Sequence, residues 1–449
     1  MNSDNYGVVS RNMPDKMNES LMVPELICRD VRATKRRFNA VNGNTFSTAG
    51  TEIRIPIAAN AVIGANNTNV NFRLKFAGTA GDDAKAFADS TWFAMFSQIR
   101  VESGAGSSII LEQVDEPGVV AAMVAQYTFS LEEKTRANSL GLAIEDSAVV
   151  ISGSIDRSGT TILLADNPTE ITLDLSTVLG LFSTSLPLYE TNGITVVFTL
   201  NQFGASGVYP ATPSGGTGVI SSLSALDNVY ITCNCLEGGE KYERDLRDAK
   251  SKNGEVSVMF NTVRRYVQPM AASGATGGSQ ILINDRAKSC LGFFATSRKT
   301  SELLTSTAYK NSSSSFAAWT NHNYNIAGQM YPMAGISTVG ECTDESYDTL
   351  KHLSKNKNSD GGLINRSQAN PKATYASTAA GSAGIVCVNL SKCGADEHVW
   401  GKGLNLSGSN LSNYLNVSYT PADASTINIY SIFQMKVHID KMGGFSTEF

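Results

Sequence analysis

The sequence predicts an all-β fold: two β-sandwiches in tandem, with helices confined to the connections between strands. Three observations lead there. Short segments of alternating apolar and polar residues, bounded by Gly, Asn, Asp or Ser, recur from residue 51 to the end of the chain. One dense charge cluster, 237–252 (EGGEKYERDLRDAKSK), interrupts them near the middle of the 449 residues. Helical spacing is found only in short patches between the β segments.

Taken in order, residues 1–50 read as an irregular N-terminal arm carrying a basic cluster of Arg29, Arg32, Lys35, Arg36 and Arg37, with Asp30 the only acid inside it. The first sandwich, 51–236, has candidate strands at 52–58, 70–76, 98–102, 109–114, 149–154, 170–175, 194–200 and 229–236. Phe72, Leu74 and Phe76 fall on one face of their strand, as do Ile171, Leu173 and Leu175. Val120, Met123, Val124 and Tyr127 are at helical spacing after Pro117, which suits a first turn. Residues 176–182 predict a turn or two of helix, and the Gly/Ser/Thr/Pro-rich stretch 204–226 a long loop. The connector, 237–254, is acidic early and basic late, which suits the dipole of a solvated helix.

The second sandwich, 255–449, offers strands at 256–266, 280–284, 290–295, 324–331, 385–390, 404–407, 414–419 and 427–439. Between them lie two long polar loops, 297–323 and 340–383, with a short helix expected at 343–355. Eight strands in two packed sheets is the number of a jelly roll, so the prediction is two tandem eight-stranded jelly rolls. No residue-level repeat links the halves, so any duplication is structural.

Composition narrows the function. At 42% hydrophobic the chain can fill real cores, and it has no run of about 18 apolar residues suited to a membrane helix. Met1 to Ser20 are polar and of mixed charge, unlike a secretory signal. The 36 basic and 41 acidic residues leave −5, which argues against a general nucleic-acid binder. Seven cysteines, an odd number, predict reduced thiols; Cys233 and Cys235 share a strand face and read as buried.

The search for chemistry finds no constellation. His322, His352, His398 and His438 lack partners at metal-ligand spacing, and esterase and P-loop signatures are absent. The glycines at 104 and 106 read as a hairpin turn. Of the adjacent acids, Asp82-Asp83, Glu132-Glu133 and Glu145-Asp146 read as solvated charge, and Asp115-Glu116 as a helix cap before Pro117. Three Trp residues are too few for sugar subsites, so a glycosidase, with Asp344 and Glu345 the first acids to test, is disfavoured. The sequence predicts no enzyme and no cofactor. The basic cluster offers a few phosphate contacts, but Asp4, Asp15, Glu19, Glu25 and Asp30 dilute the arm, which favours docking on the protein itself or a neighbouring subunit.

The order of segments carries a resemblance. Residues 89–102 (DSTWFAMFSQIRVE) are followed by a Gly turn, a strand and a helix, and later Ser185 to Tyr189 (SLPLY) leads into 194–200. In the second half come Asn325 to Pro332 (NIAGQMYP) and a closing run from Gly403 to Ile439, with Gly443-Gly444 beyond. Together these resemble the double jelly-roll major capsid proteins of tailless icosahedral double-stranded DNA viruses, of the adenovirus-like, virophage and polinton-like lineages. The resemblance implies a homotrimer whose six jelly rolls tile a pseudo-hexagon in the virion shell, assembled in the host cytoplasm or nucleus. It also implies loops forming outer towers, an N-terminal arm beneath, and penton and minor capsid proteins as partners. The five cations of 29–37 would then meet nucleic acid, an internal membrane or a neighbouring subunit, and removal of 1–37 should spare the trimer. The competing reading is a viral spike, fibre or lectin-like binding protein built from two β-sandwiches; no heptads or repeats announce a shaft.

Overall fold

The computed structural model describes residues 32–58, 60–76, 92–104, 109–129, 133, 169–201, 223–237, 240–271, 277–300, 321–337, 339–353, 385–391, 400–408, 412–419 and 424–449. The expected strand at 149–154, Asp82-Asp83, Glu145-Asp146, His398, Arg29 and most of the long loops lie outside them.

The first barrel contains β1 (Arg32–Asn39), β2 (Thr45–Phe46), β3 (Glu52–Ile57), β4 (Val62–Phe76), β5 (Phe96–Ser103), β6 (Ile110–Asp115), β7 (Thr169–Asp174), β8 (Leu186–Pro187), β9 (Ile194–Leu200) and β10 (Leu223–Glu237). One sheet runs β1-β10-β4-β7, with β2 and β8 attached, and the facing sheet runs β3-β9-β5-β6. The second barrel contains β11 (Glu255–Met270), β12 (Gly277–Ile283), β13 (Cys290–Lys299), β14 (Asn321–Ile326), β15 (Gln329–Ile336), β16 (Val386–Asn389), β17 (Asn413–Tyr419), β18 (Ser425–Asp440) and β19 (Phe445–Glu448). Its sheets run β11-β18-β13-β16, with β19 attached, and β12-β17-β14-β15. Set β2, β8 and β19 aside and number the rest of each barrel along the chain. Both barrels then read 1-8-3-6 and 2-7-4-5. The duplication is structural, with every pairing antiparallel.

Alternation explains most strands. In β3 the three isoleucines Ile53, Ile55 and Ile57 are buried while Glu52, Arg54 and Pro56 look outward. The two inner faces of the first barrel meet where Phe72 and Phe96 lie edge to face at 5.7 Å, and Phe96 is 4.9 Å from Phe198 on the neighbouring strand of its own sheet. In the second barrel Phe294 stacks on Tyr430 at 4.6 Å. Central β18 is buried almost throughout, as expected of a strand covered on both faces.

Among the described residues, the α-helices α1 (Pro117–Thr128), α2 (Glu240–Asn253) and α3 (Val339–Leu350) join strands. The first and third occupy the same place, between the fifth and sixth strands of their barrels. Turns of 3-10 helix at Leu175–Thr177 and Gly180–Ser183 correspond to the short helical patch expected there.

Several expectations need correcting. Residues 32–39 are not irregular arm: they form β1, paired along its length with β10, and their exposed edge position removes the apolar alternation that announces a strand. A cut after residue 37 would therefore remove most of that strand. Residues 324–331 are not one strand but parts of the β14–β15 hairpin, turned by Ala327 and Gly328 at positive φ of 54° and 84°. At 404–407 there is a single bridge, Leu404 to Cys290, instead of a strand. The stretch 340–383 is not all loop, because α3 and a 3-10 turn at Lys351–Leu353 occupy its start. The ends of 297–323 and 204–226 likewise belong to β13, β14 and β10. The connector helix is not simply solvated: Leu246 packs with Val62, Tyr189 and Val256, and Lys250 donates to the Tyr189 carbonyl at 3.1 Å.

The barrels meet along a seam where terminal strands β6 and β11 abut, backed by the turn at 180–183. A Cβ on Gly180 would lie 1.8 Å from the Asn261 carbonyl oxygen, so no side chain fits at this closest approach. Gly180→Ala is expected to destabilise the chain by about 1–3 kcal/mol or more in urea melts, because the obstructing atom is backbone. Gly64→Ala, whose Cβ would meet nothing nearer than 3.5 Å, should stay close to wild type.

Candidate functional site

The seam concentrates the buried polar chemistry that joins the barrels. Glu112 on β6 is buried, and its carboxylate accepts the backbone N–H groups of Gly180 at 2.8 Å and Leu181 at 2.9 Å. Burial pushes its pKa up to about 7, against the hydrogen bonds that favour the charged form. Next along the chain, Glu116 takes a left-handed backbone conformation (φ 47°) at the start of α1. It gives the helix no side-chain cap, contrary to the sequence expectation; its carboxylate reaches Arg265 of β11 at 2.8 Å. Asp115 does not cap either, and accepts from Gln98 at 2.7 Å and Gln113 at 3.2 Å.

A cavity of about 20 Å³ lies between Val120, Ser176 and Gly180 of the first barrel and Asn261, His352 and Leu353 of the second. It has room for about one water and is far below substrate size. Asn261 donates to the His352 carbonyl at 2.7 Å, tying β11 to the turn that follows α3. This is a structural joint.

The other candidate groups are dispersed. His322 and His352 are buried, and desolvation holds each pKa down at about 4. The Nε2 of His322 lies 3.2 Å from the Cys387 carbonyl, and that of His352 3.1 Å from Asn389 Oδ1. His438 lies on the polar face expected for it, 2.8 Å from Glu255 and 3.6 Å from Glu448. Glu345 accepts the Asn389 backbone N–H, and burial raises its pKa, while Asp344 is exposed. Cys233, Cys235, Cys290, Cys342 and Cys387 are buried thiols, with Cys233 and Cys235 Sγ atoms 3.7 Å apart on one strand face. Among the described residues no three His, Cys, Asp or Glu side chains gather as a metal site.

The basic cluster divides once β1 is formed. Arg36 pairs with Glu237 of β10, and the hydrogen bond holds the Glu237 pKa below the usual carboxylate range. The Arg37 guanidinium lies 3.7 Å over the Tyr230 ring and donates to Asn228 at 2.9 Å. Arg32 and Lys35 are exposed and pair with no carboxylate among the described residues. Elsewhere on the first barrel, Glu52 and Glu102 alternate with Arg54 and Arg100 in a closed ring, Arg100 bonding Glu52 at 2.6 Å and Glu102 at 2.7 Å.

No protein-family model matches the sequence, and no curated protein matches it. Solved structures do match. PBCV-1 VP54, fitted into a reconstruction of the virophage Sputnik, superposes with a TM-score of 0.60 at 11% identity, over 94% of this chain and 97% of that one. The fold is a double jelly roll. A quasi-atomic model of the PBCV-1 virus capsid matches with a TM-score of 0.59 at 10% identity, over 94% of this chain and 97% of that one. The Faustovirus major capsid protein follows with a TM-score of 0.53 at 9% identity, covering 91% and 90%.

Sequence reasoning missed the seam residues Glu112, Gly180, Asn261 and Arg265. A lone glutamate in a strand reads as solvent-facing, and nothing local signals that a second barrel will cover it.

Glu112 makes the joint pH-dependent. Its folded pKa, about 7, is above the 4.5 of an exposed glutamate, so the folded state binds the extra proton. The stability it contributes is full below pH 4.5 and is lost as pH rises to about 7. The loss amounts to roughly 3 kcal/mol. Glu112→Gln should flatten this part of the stability profile in urea melts from about pH 4 to about pH 8. An unchanged slope would show that Glu112 does not titrate there.

Proposed function

We propose that this chain is the major capsid protein of a tailless icosahedral double-stranded DNA virus, a structural subunit that forms homotrimeric, pseudo-hexagonal capsomers in the virion shell. The observation that carries the reading is the repeated 1-8-3-6 and 2-7-4-5 strand order, in a chain that superposes on PBCV-1 VP54 and the Faustovirus major capsid protein over more than 90% of its length. The polar chemistry supports it too. The buried carboxylate, the interbarrel ion pair and the closed charge ring all serve to hold strands and barrels together. The primary partner on this reading is the chain itself, followed by neighbouring capsomers, with penton and minor capsid proteins at the remaining edges.

Within the basic cluster, Arg36 and Arg37 are engaged on the chain's own sheet, which leaves Arg32 and Lys35 for an outside partner. Arg29 and the rest of residues 1–31 form the arm proper, directed on this reading to the inner face of the shell, where genome, membrane or a neighbouring subunit lies.

Light scattering after size exclusion tests the reading. The expected species is a trimer of the 47.8 kDa chain, about 143 kDa. A strict monomer at micromolar concentration would reject the capsomer and favour a spike or lectin-like binding protein. Deleting residues 1–31, which leaves β1 whole, should keep the trimer and its melting temperature but impair shell assembly seen by electron microscopy; loss of the trimer would refute a peripheral role for the arm.

A further inference from the structure

All four histidines lie in the second half of the chain, and two of them, His322 and His352, are buried against the same strand. That strand, β16, ends its sheet and pairs with β13 over four residues only, Val386 to Asn389. Its other attachments come from side chains. His322 of β14 reaches the Cys387 carbonyl, and Tyr324 donates to the Val386 carbonyl at 2.9 Å. From the opposite end, His352 meets Asn389 Oδ1, and Glu345 of α3 accepts the Asn389 backbone N–H.

Both rings act as neutral donors. The Cys387 carbonyl can only accept, and so can Asn389 Oδ1, which also takes the Ser391 N–H at 3.1 Å. Each ring therefore carries its hydrogen on Nε2, and an added proton goes to Nδ1. Tyr324 and Cys387 face His322, and burial keeps both un-ionised. His352 faces Lys402 and Lys351, which oppose a further positive charge, and Asp348, whose opposite pull is smaller. The first-barrel residues lining the cavity beside it carry no charge.

Desolvation, the largest cause at each ring, holds both pKa values at about 4, below the 6.5 of an exposed imidazole. A released strand would let the rings take up protons as pH falls below 6.5, whereas docked rings do so only near 4. The stability they contribute is full above 6.5 and is lost as pH falls toward 4. At pH 5 each ring favours release roughly 30-fold more than at pH 8. Glu345 has the opposite sign, since burial raises its pKa and acid favours its docked form, so it offsets part of this.

We propose that β16 is a strand released by acid: proton uptake by His322 and His352 undocks it from β13 and α3 and loosens the seam, while the first barrel stays folded. The seam is coupled because α3 packs on α1 and Asn261 of β11 donates to the His352 carbonyl. The first barrel holds no histidine, and β7, its counterpart of β16, pairs with β4 over six residues. The latch lies within one chain and works whether or not chains trimerise.

Hydrogen exchange of the full chain, read as protection factors at pH 8 and pH 5, provides the test. Residues 386–389 should lose protection more than tenfold at pH 5, with α3 following, while 169–174 of β7 keep theirs. His322→Gln and His352→Gln, whose amides can donate from Nε2 without titrating, should each reduce that loss at least severalfold. Equal loss in β16 and β7 would mean global acid unfolding and overturn the latch, as would no loss at pH 5. An unchanged acid response in both variants would remove the histidines from the role. If neither variant folds, the wild-type profile decides: the loss should develop as pH falls from 6.5 toward 4, and one that begins only below pH 4 overturns the proposal.

Discussion

The approach of Gly180 to the backbone of Asn261 sets the geometry on which the rest of the molecule depends. A jelly-roll barrel has two sheets, and each sheet ends in strands whose outer backbone groups need a cover. Here β6 of one barrel and β11 of the next cover each other, and the turn at 180–183 closes the gap behind them. Only a residue without Cβ fits at the contact. The same turn presents the two N–H groups that hold the buried Glu112 carboxylate. The hairpin between β18 and β19 makes a second tight approach, with Gly443 against the Glu190 carbonyl. The two barrels are thus one packed body, with a core that runs continuously through both.

The use of charge follows from that packing. A charge buried unpaired is costly, so charges near a packed seam are paired. Arg54, Arg100, Glu52 and Glu102 neutralise one another across the outer face of the β3-β9-β5-β6 sheet. Arg247 pairs with Glu190 at 2.6 Å, where the connector helix docks.

Much of the fold was legible, and the misses have physical causes. Ile194 to Leu200 and Glu52 to Ile57 alternate cleanly because one face is buried, and the strands lie where the alternation puts them. β1 was invisible because an exposed edge strand is held by backbone hydrogen bonds to β10, with only Phe38 packed against the core, so its composition reads as arm. The β14–β15 hairpin was read as one strand because its turn uses Ala327 where Asn or Asp would signal positive φ. Leu404 looked like a strand residue because it is apolar; it makes one bridge to Cys290, at a point where Gly403 lets the backbones approach.

By itself the sequence determined the all-β class, since periodicity and composition are local properties. It also determined that a basic cluster exists at 29–37. Only the tertiary structure decided which of those cations remain open, that Glu116 serves an interbarrel ion pair instead of a helix cap, and that Glu112 is buried at a joint. Those facts depend on which distant segment arrives opposite each side chain. Strand order in the two barrels brings residues 112, 180 and 261 together, and no local pattern encodes that meeting.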